Sequence, residues 1–172
     1  DAEQGSGWTL SAGFEILSGT ASNQTEKNNS YSPLYGTNHL FNGYMDLFYV
    51  ANAHENTVGL QDYFIRSRYA FNKKLFFQGD YHAFLAAAKV FRQESPGVWT
   101  GLDSSLGSEV DLSMGWILSD AVSIQGGYSQ FFKTNTMAYI QGSPNLQNTQ
   151  NWAYLMFIFR PTMKNKFIGI LL

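Results

Sequence analysis

The sequence predicts an all-β protein, specifically an antiparallel transmembrane β-barrel. Three observations point there: long stretches alternate apolar and polar side chains, those stretches are longer than globular strands, and the connections alternate long and short. Alternation at period two marks a strand whose two faces meet different environments. A sheet in a water-soluble protein alternates as well, so length decides. The two clearest stretches, within residues 57–91, run roughly 15 residues each, well beyond the five or six residues of a typical globular strand and suited to a tilted strand crossing a bilayer.

Composition agrees with this class. The 172 residues suffice for one domain, and 11 Lys+Arg against 13 Asp+Glu leave a formal charge of -2, so no polyanion-binding surface and no nucleic-acid partner is implied. Aromatic residues (16%) outnumber charged ones (14%), yet the mean hydropathy is only -0.21, which is what alternation produces. No apolar run approaches the length of a transmembrane helix, and a strand-built membrane protein needs none. The absence of cysteine removes disulfides and thiolate metal sites. No basic segment with an apolar core precedes Trp8. An outer-membrane protein needs such a leader, so the expectation is a processed chain or an internal or C-terminal portion of a longer one, with residues 1–172 forming a single barrel region.

The elements follow in order. Residues 8–20 make a first strand, with Trp8, Leu10, Ala12, Phe14 and Ile16 on one face and Thr9, Ser11, Gly13 and Glu15 on the other. Residues 21–56 form a long connection, polar at first and then aromatic. Its part from 39 to 50 is too apolar to hang in water, so the connection is expected to be extracellular or folded into a lumen, with a short helix or strand there. The organising hairpin comes next. Its first arm places Tyr63, Ile65, Tyr69 and Phe71 opposite Asp62, Arg66 and Arg68; its second places Leu75, Phe77, Tyr81, Ala83 and Leu85 opposite Gln78, Asp80 and His82. The arms meet at Asn72-Lys73-Lys74. Residues 92–105 read as a loop broken at Pro96-Gly97. Residues 106–118 set Val110, Leu112, Met114 and Trp116 outward and Glu109, Asp111, Ser113 and Gly115 inward. After a minimal turn at Ser119-Asp120, residues 121–133 set Val122, Ile124, Tyr128 and Phe132 against Ser123, Gln125, Ser129 and Lys133. A polar, uncharged loop leads to a last strand at 150–161, where Trp152, Tyr154, Met156 and Ile158 oppose Ala153, Leu155, Phe157 and Phe159 and both faces read as buried.

The connections alternate about 36 residues, a tight turn, about 14, a tight turn and about 15, which is the pattern of bacterial outer-membrane barrels with short periplasmic turns and long extracellular loops. Six strands cannot close around a polar interior, because about eight are needed merely to fill the middle with side chains. Unpaired edges inside a bilayer are costly. The remaining strands must therefore come from further sequence or other chains, unless 41–50 and 166–172 are both strands of an eight-stranded barrel, an arrangement that breaks the loop parity.

The runs SPLYGTNHLFNGYMDLFYV, GLQDYFIRSRYAFNKKLFFQGDYHAFLAA, LGSEVDLSMGWILSDAVSIQGGYSQFF and NWAYLMFIFRPT resemble the C-terminal part of alginate-export-type outer-membrane barrels, in the version found in Bacteroidota-like bacteria. The likeness extends from about Trp8 to Thr162. It implies a monomeric, porin-like barrel of roughly 14 to 18 strands in a Gram-negative outer membrane, with a charged lumen passing solutes or polysaccharide. The tail MKNKFIGILL continues past the aromatic ending expected near Phe159.

The inward set predicted to line a solute path is Glu15, Asp62, Arg66, Arg68, Gln78, Asp80, His82, Glu109, Asp111, Gln125 and Lys133. Mixed charges on a water-filled wall orient dipolar solutes and select among ions. The competing reading is that these groups neutralise one another and stiffen the wall. Arg66 and Arg68, two residues apart on one face, are the candidates for an anionic solute, since guanidinium pairs bidentately with carboxylate. Trp8, Tyr63, Tyr69, Phe71, Trp116, Tyr128 and Trp152 are the candidates for an aromatic belt at headgroup depth. Against this stands a soluble carrier with an aromatic core, but a carrier's interior is apolar. No enzyme is expected: Asp80 and His82 share a face, but Ser67 faces away and no nucleophile motif is present. His39, His54 and His82 lack ligand spacing, so no metal and no cofactor is called for. Asn23-Gln24-Thr25 and Asn28-Asn29-Ser30 match glycosylation sequons by chance. The expected partners are outer-membrane lipid and lipopolysaccharide, hydrophilic solutes or an anionic polysaccharide, and the strands that complete the barrel. The expected function is a channel, with a non-conducting structural or surface-interaction barrel, closed by residues 39–56, as the alternative.

Overall fold

Alternation along the chain builds one antiparallel sheet of six long strands. The computed structural model describes residues 6–32, 42–48, 54, 57–142 and 149–160. The long strands are β1 (Gly7–Leu17), β2 (Leu60–Asn72), β3 (Leu75–Leu85), β6 (Ser105–Ile117), β7 (Val122–Lys133) and β8 (Thr149–Phe159), in the sheet order β1-β2-β3-β6-β7-β8. β1 and β8 are the two edges. They do not pair with each other, and the sheet is open among the described residues.

Two tight turns lie at one end of the sheet. At the first, Asn72 Oδ1 accepts from the backbone N–H of Lys74 (2.8 Å) and of Leu75 (3.0 Å), so the side chain supplies the turn's acceptor. At the second, the Leu118 N–H donates to the Val122 carbonyl (3.0 Å). The long connections lie at the other end and carry structure that alternation does not register. Residues predicted as a loop at 92–105 contain a separate hairpin, β4 (Phe91–Ser95) and β5 (Val98–Gly101). Its turn uses Pro96, whose ring presets φ, and Gly97 at φ 79°, a pairing that makes a reversal rather than a mere break. Residues predicted as a polar loop after Lys133 contain the helix α1 (Asn135–Ile140), started by Thr134, whose Oγ1 accepts from the Met137 N–H (3.2 Å).

The apolar core sits at this loop end. Phe84 of β3, Leu106 of β6, Phe131 of β7 and Met137 of α1 are buried together with Phe48 and Val58 from the long connection. Residues 42–48, expected to form a short helix or strand, are turn and irregular backbone, which removes one of the two strands an eight-stranded barrel would require. The second, at 166–172, and the tail after Thr162 lie outside the described residues, as do residues 33–41, 49–53 and 55–56, His39 among them. β8, read as buried on both faces, is exposed along much of both, because it is an edge with no strand beyond it among the described residues.

Candidate functional site

Register places the polar side chains of neighbouring strands in rows across one face. One row runs Ser11, Arg66, Asp80, Asp111, Ser129, Trp152; the next toward the loops runs Gly13, Phe64, His82, Glu109, Phe131, Gln150. All eleven residues predicted to face inward lie on this side. Glu109 (0% exposed), Asp111 (1%) and Asp80 (3%) are among the most buried of the described residues. The opposite face carries Trp8, Leu10, Tyr69, Phe77, Leu112, Trp116 and Leu155, all exposed or partly so. The polarity of an ordinary sheet is thus inverted, with charge covered and large apolar groups uncovered.

Six of the seven aromatic-belt candidates lie on the apolar face. Trp152 does not: it pairs with Ser129 in register and therefore shares the polar face, where its ring stacks 5.0 Å from Tyr154. Both faces of β8 are apolar, so alternation could not tell one from the other there.

The polar face is a network. Arg66 Nε and Nη2 donate to Asp80 Oδ1 (3.0 Å) and Oδ2 (2.9 Å), a two-pronged pair, and Gln78 Nε2 adds a third donor to Asp80 (3.1 Å). His82 Nδ1 lies 2.9 Å from Asp62 Oδ2, and its Nε2 lies 4.0 Å from Asp111 Oδ2. The imidazole is stacked by Phe64 at 5.6 Å and by Phe84 at 5.5 Å. Asp111 lies beside Ser129 and Glu109 without reaching hydrogen-bond geometry with either, and Lys133 Nζ is buried without a hydrogen-bond partner among the described residues.

A segment of the long connection covers this network. Asn42 Nδ2 donates to Glu15 Oε2 (2.8 Å), the Met45 N–H donates to Glu109 Oε1 (2.8 Å), and Phe48 packs 4.6 Å from Phe84. Gly43, at φ 83°, allows this approach, since a Cβ there would lie 2.6 Å from the Glu109 carboxyl. Burial, and next the nearby Asp80 carboxylate, push the Tyr44 phenol up to about 12, so it stays a neutral group. Burial likewise lowers the pKa of His54, outweighing the opposing effect of its 2.9 Å contact with the Gly59 carbonyl.

The two arginines differ in role. Arg66 is committed to Asp80. Arg68 makes no ion pair among the described residues; its guanidinium carbon rests 3.7 Å above the Phe76 ring. The described residues contain no group of three or more His, Cys, Asp or Glu able to hold a metal ion. Sequence reasoning missed the covering residues Asn42, Gly43 and Tyr44, for which irregular backbone offers no periodic signal. It also missed Phe64 and Phe84, whose position among polar neighbours was legible from parity alone.

Comparison with protein-family models, with curated proteins and with solved structures finds no match. The likeness to alginate-export-type barrels therefore rests on the residues quoted above.

Proposed function

We propose that this chain is part of the wall of a β-barrel channel in a bacterial outer membrane, and that its polar face lines a path for hydrophilic, anionic solutes. The inverted sheet carries this reading. In water, an antiparallel sheet with one solvated face turns its polar side outward. Here the uncovered side bears tryptophan, leucine, phenylalanine and tyrosine over most of the sheet, an apolar surface that water disfavours and hydrocarbon accepts. Strand lengths of 11 to 13 residues in the six-stranded sheet suit a tilted crossing. Two open edges call for further strands, whether from more sequence or from other chains, because unpaired backbone is costly in lipid. The family resemblance supports export or diffusion through such a lumen.

A second reading, a barrel that does not conduct and serves a structural or surface role, is favoured by one observation: residues 42–48 lie across the polar face and hydrogen-bond to Glu15 and Glu109. Planar-bilayer recording on the native, detergent-extracted protein separates the two. Discrete conductance steps are the expected result. Stable insertion without conductance selects the structural reading, and failure to insert overturns both.

A further inference from the structure

We infer that the tight-turn end of the polar face holds a binding site for a compact amphiphilic anion, a carboxylate on a small apolar body. A cavity of about 190 Å³ opens there, between the β2–β3 turn and the starts of β7 and the end of β8. This is smaller than the ~300–1,000 Å³ of pockets for drug-sized ligands, so the ligand is compact. Three cations line it, Arg68, Lys73 and Lys74, and its described lining contains no carboxylate. Further along the same face, Asp80 is held by the two-pronged bond from Arg66. The charge carried by the described lining is therefore positive.

The guanidinium is also held in place. Arg68 lies on the Phe76 ring at 3.7 Å, and Phe76 in turn lies over Gly115, where a Cβ would come within 2.4 Å of the ring. Stacking occupies one face of the planar group and leaves its N–H edge free to donate, the geometry that recognises a carboxylate. Ser123 supplies a further donor at the cavity wall: its Oγ is buried and has no hydrogen-bond partner among the described residues. Phe76 and Ile158 give the same cavity an apolar floor. A fully hydrated ion such as phosphate would leave that floor unused, whereas a carboxylate attached to a ring or short chain would cover it.

The site does not depend on conduction, so it is tested by equilibrium binding. Isothermal titration of the intact protein in a nonionic detergent uses three probes: benzoate, benzyl alcohol as its neutral counterpart, and inorganic phosphate. Saturable benzoate binding that weakens with salt, with benzyl alcohol and phosphate at least tenfold weaker, is expected. Arg68→Gln should weaken benzoate at least tenfold, and Arg68→Lys less. Lys73→Gln/Lys74→Gln, in an exposed turn where the fold is not at stake, should weaken it severalfold. Absence of benzoate binding, equal binding of benzyl alcohol or phosphate, or a double turn variant indistinguishable from wild type would overturn the site. A channel that conducts yet fails these tests would leave the transport reading intact, and a non-conducting barrel that passes them would leave the site intact.

Discussion

Replacing Leu112 by arginine tests whether the apolar face meets lipid or water. Leu112 stands near the middle of β6, on the apolar face and 51% exposed, with Gly79 and Tyr128 beside it in register. Its exposure leaves room for a longer side chain, so steric cost is small and the solvent decides. In water, such a surface substitution changes stability by no more than about 0.5 kcal/mol. At the midplane of a bilayer, an arginine on the lipid face costs about 2–4 kcal/mol. Depth provides an internal control. Trp116, 45% exposed on the same face, lies four residues further along β6. That is about 13 Å along the strand at roughly 3.3 Å per residue, or about 9 Å along the membrane normal for a tilt near 45°. Arginine there should fall near the interface and cost about 0–1 kcal/mol for the lipid term. The assay is reversible urea unfolding from vesicles of defined lipid, followed by tryptophan fluorescence. A Leu112→Arg penalty within about 0.5 kcal/mol of zero, or one no larger than that at position 116, would refute the membrane reading of this face.

Arg66→Ala leaves Asp80, 3% exposed, buried with Gln78 as its remaining side-chain donor. Breaking a buried pair costs about 3–5 kcal/mol, and since the Arg66 side chain is one-third exposed the lower end, about 3 kcal/mol, is expected in the same unfolding assay. Phe48→Ala removes ring contacts to Phe84 and Phe131 and should cost about 3 kcal/mol, with amide exchange over residues 42–48 rising more than in β6. The His54 effect has a defined sign. Its folded-state pKa lies below 6.5, so as pH falls through the unfolded value the unfolded chain takes up a proton that the folded one does not, and stability is lost with acid. Between pH 7.5 and pH 5 (about 1.4 kcal/mol per pH unit at most), wild type should lose more stability than His54→Gln; equal pH profiles would remove the effect.

Much of the fold was legible because a strand's two faces are separated by a period of two, and β2, β3, β6 and β7 each keep that period over most of their length. Which residues share the polar face, from Glu15 to Lys133, follows from parity once register is set by tight turns such as Asn72 to Leu75. The same rule failed on β8. There both sets of alternating residues are apolar, so parity alone assigns Trp152 to neither face and carries no signal of exposure.

What the sequence by itself determined is local: the positions of the long strands, the tight turns, and the division of charge from aromatic side chains. Local chemistry suffices for these, since each depends on residues one to four apart. Only the tertiary structure decided which charges meet. Arg66 and Arg68 are equivalent by pattern, but cross-strand neighbours give one to Asp80 and set the other on Phe76. Only the tertiary structure brought Asn42 and Met45 onto Glu15 and Glu109, contacts separated by 27 and 64 residues in the chain. No periodicity encodes such contacts, because they arise from where an irregular segment can bury Phe48 and satisfy its own backbone donors at once.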